Sequence, residues 1–370
     1  MSPLSLTLFV HATVVFASYA AVRTLAAHVA RRDVPRTRVV AGLRTLRHAG
    51  YLVGGSAAVL TSTATDVQTA AAATLPTGVA GTVYGGVLVG TAVFVGPVMA
   101  VALAVHLAAH PYRREAGDID ATRPDVLRWF VGHLPAMPLS VAVATAVVWL
   151  APPGAGRVLA TVVVALVGAA SLPVLLTYAF RTRPAGLAER EALGGLPDGV
   201  TVHVVPDATR VGVAFAAGVL PGARYVFLAE SLFDVLSPDE RRAVLAHELA
   251  HHRRGHVALR VALPICLLVP LVAAVEFGVA VPFVGVVAFA FVAAVGLFRV
   301  VRWTEYDADR WAAERVGGAA VAGALSHLAD RHLVFVGPER RFRVFASHPS
   351  IENRVARLTP ARRAPNRGPR

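Results

Sequence analysis

The clearest chemistry in the chain lies in the run Ala246-His247-Glu248-Leu249-Ala250-His251-His252. Residues four apart on an α-helix share a face, so the imidazoles of His247 and His251 can converge on one metal ion. Glu248, next to the first of them, can reach a water bound to that metal. His-Glu-x-x-His of this kind is the pattern of a zinc hydrolase, with two ligands and a general base from one short stretch of helix. The pattern has this meaning only on a helix, and the flank supplies one. Ser237-Pro238-Asp239-Glu240 reads as an N-cap serine, a proline at the first helical position and a glutamate placed to close a capping box. No breaker stands between Arg241 and His247.

A catalytic zinc commonly takes three protein ligands and leaves its fourth position to water. The third must come from elsewhere, and the helical run Glu305-Tyr306-Asp307-Ala308-Asp309-Arg310-Trp311 offers it. Glu305 is the natural candidate. Asp309, one turn on, can hydrogen-bond a ligand imidazole and fix its orientation. By spacing alone, a glutamate on so charged a helix is equally a solvated surface residue.

These residues must be positioned by a very apolar chain. Of 370 residues 55% are hydrophobic and only 16% charged, and the mean hydropathy is +0.59. That is the profile of a polytopic membrane protein rather than a soluble enzyme. The net charge of +13 comes entirely from arginine, since the chain has no lysine. The arginines cluster beside apolar runs rather than on a face interleaved with aromatics, which argues for membrane topology and against nucleic-acid binding. The single cysteine, Cys266, excludes an intrachain disulfide and a cysteine-rich zinc site.

A bilayer span needs about 20 apolar residues. Leu4 to Val22 qualifies, and the arginines that follow it read as a retained span with its N-terminus outside rather than a signal peptide. Gly50 to Leu75 is a weaker second span, and Val79 to Ala109 a clear third. Trp129 to Leu150 and Val158 to Phe180 follow, then Val261 to Val275 and Val279 to Phe298 as a membrane hairpin. Between residues 181 and 260 the composition turns mixed: Val200 to Val205, Gly212 to Val219 and Tyr225 to Leu228 read as strands ahead of the motif helix. The expected organisation is an N-terminal membrane region (1–180), a soluble segment with the motif (181–260), the hairpin (261–298), a second soluble segment with Glu305 (299–358) and an Arg- and Pro-rich disordered tail (359–370). Arginine-rich segments after alternate spans place both soluble segments in the cytoplasm, for about seven spans in all.

With both motifs in hand, the arrangement resembles the membrane zinc metalloproteases of the HtpX and CAAX prenyl endopeptidase type, a gluzincin family. There His-Glu-x-x-His is followed by a membrane hairpin and then Glu-x-x-Ala-Asp, as in Glu305 to Asp309. Ala214-Phe215-Ala216-Ala217-Gly218 is similar to the family's Asn-Ala-Phe-Ala-x-Gly strand beside the substrate, with Val213 where the family has Asn. His348-Pro349 and Arg354 resemble a late His-Pro…Arg element. A more distant similarity is to the β-lactam-sensor metallopeptidases, whose later motif ends Cys-Asp. The resemblance covers roughly Leu196 to Leu358 and does not account for the five N-terminal spans.

The resemblance implies a mainly α fold, with a cytoplasmic α+β zincin-like domain among the membrane helices. It implies one zinc per chain on His247, His251 and Glu305, with Asp309 behind a ligand and Glu248 as general base. His348 would stabilise the oxyanion, and Ala214, Phe215, Ala216 and Arg354 would bind substrate or, for Arg354, anchor the fold locally. Partners would be protein or peptide substrates at the bilayer, in quality control of misfolded membrane proteins. The alternatives are a signalling protease that cleaves one regulator and a catalytically silent scaffold; the complete set His247, Glu248, His251 and Glu305 argues against the last. By spacing, His252 and His256 are expected to meet lipid headgroups or water.

Overall fold

In a computed structural model the described residues are 3–64, 83–117, 122–133, 140, 143–144, 147–148, 150–196, 198–206, 214–279, 283–330 and 349–359. The chain forms two compact units, Met1–Val164 and Ala165–Arg370. The boundary falls inside a helix, α5 below.

The first unit holds α1 (Pro3–Ala30), α2 (Arg36–Ala64), α3 (Val83–Glu115) and α4 (Arg123–His133). The first three pack on one another around Val22, Ala58, Val101, Val105 and Ala108. Glycines permit the close approach: a Cβ on Gly54 would stand 2.6 Å from Val101 and 2.7 Å from Ser18. His11, on the third turn of α1, is buried and satisfied, with Nε2 2.9 Å from the Ser62 hydroxyl. Helix α2 begins well before the apolar run expected from Gly50, and the rest of that run lies outside the described residues, as does much of the fourth expected span.

Among the described residues, four helical stretches are long and apolar enough to cross a membrane: Ser5–Ala30, Val95–Glu115, Ala155–Ala179 and His256–Ala274. Large apolar side chains on them face outward, among them Phe16, Leu159 and Leu175. Water would make such exposure costly, and lipid removes the cost.

The second unit continues from α5 (Ala155–Ala179) through β1 (Arg183–Pro184), α6 (Leu187–Ala192), β2 (Thr201–Val205), β3 (Ala214–Ala217) and β4 (Tyr225–Ala229). It then runs through α7 (Leu232–Val235), α8 (Pro238–Arg253), α9 (His256–Glu276), α10 (Phe283–Val316), α11 (Gly318–Asp330) and α12 (Ile351–Leu358). The sheet order is β1-β2-β4-β3. Strands β2 and β4 run parallel, with Val202 opposite Val226, and β3 closes the far side antiparallel to β4, with Ala214 opposite Leu228.

Alternation along the strands decides the two faces. Val202, Val204, Val226 and Leu228 point into a core with Leu232, Leu236, Leu245 and Leu328. Val205, Ala217 and Phe227 point the other way, onto Leu176 and Phe180. Each such buried Val, Leu or Phe is worth about 1.5–3 kcal/mol, enough to hold this small sheet against α8.

Candidate metal centre

Helix α8 starts where the sequence places it. Ser237 caps it, and the Glu240 carboxylate accepts from the Ser237 backbone N–H at 2.9 Å, which closes the capping box. The helix turns Ala243, Ala246, His247, Ala250 and His251 inward, all buried. Helix α10 answers with Glu305, Ala308, Asp309 and Ala312, also buried, and Ala243 and Ala246 share a core with Ala312. Alanines at the crossing let the two backbones approach closely, so short side chains on each can meet.

At that meeting point three donors converge. His247 Nε2 and His251 Nε2 are 3.2 Å apart. Glu305 Oε2 is 3.6 Å from the first, and Oε1 is 3.5 Å from the second. Donors bound to one zinc at about 2.1 Å in tetrahedral array stand about 3.4 Å from one another, and one donor atom from each of the three residues lies within 4.8 Å of the other two, close enough to converge on a single ion. Among the described residues, these three form the one group of His, Cys, Asp or Glu able to hold a metal ion.

The far nitrogens of both imidazoles are engaged. His247 Nδ1 lies 3.0 Å from Asp309 Oδ1, and Arg354 forks onto Asp309 with Nε at 2.7 Å and Nη2 at 2.6 Å. His251 Nδ1 lies 3.1 Å from His256 Nδ1, and His256 Nε2 lies 3.1 Å from Asp307 Oδ2. Asp307 in turn accepts from Arg254 at 2.9 and 3.2 Å and pairs with Arg310. With Asp307 accepting from His256 Nε2–H, His256 Nδ1 is left to accept from His251 Nδ1–H. Both ligand imidazoles then present a bare Nε2 lone pair to the same point.

Burial and charge act unequally on the acid–base groups. Burial opposes charge on His247, but hydrogen bonds to Asp309 and Glu305 outweigh it and lift the imidazole to about 9. Burial holds His251 well below its ordinary value, and the charge on His247 adds to this. Burial also pushes the Glu248 carboxyl above the usual carboxylate range. For Asp309, burial is overcome by the Arg354 hydrogen bond, which keeps the carboxyl low.

The structure therefore brings His247, Glu248, His251, Glu305, Asp309 and Arg354 to one place. Arg354 is buried, and its guanidinium is committed to Asp309, with Nη1 3.5 Å from Glu305. Phe215 stacks on Phe227 with ring centroids 4.7 Å apart, so its side chain packs within the protein, and Ala214 packs against the core. His348 and Val213 lie outside the described residues.

Two expectations need correction. His252 and His256 are buried, and neither faces headgroups or water. His252 Nε2 lies 2.9 Å from the Tyr225 carbonyl, which ties α8 to β4. For His256 the error has a physical source. Spacing carries helix α8 past residue 253, whereas Gly255 at φ +71° turns the chain, so that His256 opens a new helix and folds back on His251. Asp307 and Arg260, which also belong to the site, carry no spacing signal; they reach it by contacts across more than 40 residues of chain.

A helix-borne His-Glu-x-x-His joined by a glutamate from a second helix is the arrangement that the gluzincin resemblance implies. Residues 188–362 match the model of peptidase family M48, in keeping with the resemblance that the sequence motifs carry. Among similar proteins, the protease HtpX homologue of Desulfatibacillum aliphaticivorans is 29% identical over 44% of this chain and 63% of its own length. That of Neisseria meningitidis serogroup C strain FAM18 is 28% identical over 39% and 61%. The chain thus spans less than two thirds of the length of these relatives. The crystal structure of Ste24p from S. mikatae has the same fold, at a TM-score of 0.64 and 14% identity, covering 97% of this chain and 99% of that one.

Proposed function

We propose that the protein is an integral-membrane zinc metalloendopeptidase that hydrolyses peptide bonds of membrane-associated or misfolded proteins. The observation that carries this reading is the convergence of one donor atom each from His247, His251 and Glu305 within 4.8 Å, with the buried Glu248 carboxylate beside them.

When bound, one zinc ion per chain supplies Lewis acidity, polarising the scissile carbonyl and lowering the pKa of a coordinated water toward about 7. The chain's own residues do the rest. Glu248, whose raised pKa suits it to hold a proton transiently, takes one from the attacking water and passes it to the leaving amine. Asp309 and the His256–Asp307 pair keep the two imidazoles oriented. His348 is the candidate donor to the oxyanion. Strand β3, at an edge of the sheet among the described residues and packed beside α8, offers main-chain pairing to an extended peptide. That mode reads backbone more than side chains, in keeping with Phe215 being turned into the protein.

The arginine distribution supports a cytoplasmic position for this site. A second reading, regulated cleavage of one specific substrate, is favoured by the unit Met1–Val164, which lies outside the family match and could carry a sensor.

The test is zinc content paired with cleavage of an unfolded or membrane-tethered protein, in wild type and Glu248→Gln. Zinc should stay bound in the variant while cleavage falls by about three orders of magnitude or more. Equal cleavage by both proteins would end the proposal.

A further inference from the structure

The Glu305 carboxylate has two oxygens almost equally near the imidazoles of the other two ligand candidates. Oε1 lies 3.5 Å from His251 and Oε2 3.6 Å from His247. A carboxylate so placed can rotate and bind a metal through either oxygen or both. Binding through both would consume the position that a water needs.

Arg260, on the second turn of α9, stands against that rotation. Its Nη2 donates to Glu305 Oε1 at 2.6 Å and to the Thr304 hydroxyl at 2.6 Å, and its Nε reaches the same hydroxyl at 3.2 Å. Thr304 is fully buried and donates its own proton to the Val301 carbonyl at 2.7 Å, so its lone pairs are turned toward Arg260. The guanidinium is held at two points on α10, next to the metal site, at the head of a helix apolar enough to cross a membrane. A charge in such a helix is costly unless paired, and Glu305 pairs it.

We propose that Arg260 is a positioning residue for the third metal ligand. By occupying Oε1 it fixes the carboxylate plane, directs Oε2 to the metal and keeps the remaining position free for water. The same clamp fastens α9 to α10 where α10 presents Glu305. This rests on the metal-centre reading above and assigns a role to a residue outside both sequence motifs.

The experiment uses the full-length protein in detergent, with zinc affinity by competition titration, steady-state kinetics and the visible spectrum of the cobalt-substituted form. Arg260→Ala should weaken zinc binding about 10–100-fold, the usual effect of losing a contact behind a ligand. Its kcat should fall with KM unchanged. Its cobalt spectrum should lose intensity, because cobalt absorbs strongly in a tetrahedral site and weakly at higher coordination numbers. Arg260→Lys keeps the charge and should recover part of each loss. Thr304→Val keeps Arg260 but removes its second anchor, and should shift the same three readouts in the same direction by less; it serves if Arg260→Ala does not fold. Unchanged or tighter zinc binding with an unaltered cobalt spectrum in Arg260→Ala or, if that does not fold, in Thr304→Val would overturn the proposal. Wild-type protein that takes up no zinc would overturn the metal-centre reading itself, and the clamp with it.

Discussion

The two candidate ligand histidines come from the same helix and face the same point, yet they are held in opposite ways. Behind His247 the arm is short and sealed: one carboxylate, Asp309, gripped at 2.6 and 2.7 Å by Arg354, with both residues buried. Behind His251 the arm is long and runs outward, through His256 to Asp307 and then to Arg254 and Arg310, whose side chains are 47% and 66% exposed. A carboxylate in direct contact favours the charged imidazole, and a neutral imidazole partner does not. So the metal-free site should hold a proton on His247, at about 9, and none on His251. One arm stores a proton that a metal must displace. The other presents its lone pair ready made.

The largest consequence is pH dependence. His247 is raised, so its protonated form dominates in the metal-free protein at every pH below about 9. Zinc uptake must then expel that proton. Affinity should improve by about tenfold per pH unit on rising from about 6 and level off above about 9. Competition titrations across that range check it, and a flat profile would erase the difference between the arms.

The next effect breaks the sealed arm. Asp309→Asn leaves the buried Arg354 charge with only the more distant Glu305 carboxylate, which should destabilise the protein by up to about 3–5 kcal/mol. It should also lower the His247 pKa, so that zinc uptake levels off at a lower pH than in wild type. Chemical denaturation and the same titrations read both.

The smallest effect breaks the open arm. Asp307→Asn should weaken zinc binding by about tenfold through loss of the His256 tautomer. It should change stability by no more than about 1 kcal/mol, because Arg254 and Arg310 can turn to water. A stability loss as large as that of Asp309→Asn would show that the two arms are built alike.

Parts of this site were legible because they are local. His247, Glu248 and His251 share a helical face by spacing, and Ser237 and Glu240 announce the start of that helix within four residues. Glu305 and Asp309 repeat the same spacing on α10. The strands were legible by alternation, as in Val202, His203 and Val204. His256 was misread because a helical wheel continued past Arg253 says nothing of a glycine at φ +71° that ends the helix.

By itself, then, the sequence determined the candidate ligand types, the two helices that bear them and the apolar runs around them, since each follows from periodicity over a few turns. Only the tertiary structure decided which charges stand behind the ligands. The pairings of His251 with His256, His256 with Asp307 and Arg260 with Glu305 depend on three helices crossing at alanine contacts and one glycine turn. No local pattern encodes such a crossing, because its energy comes from burial between segments far apart in the chain.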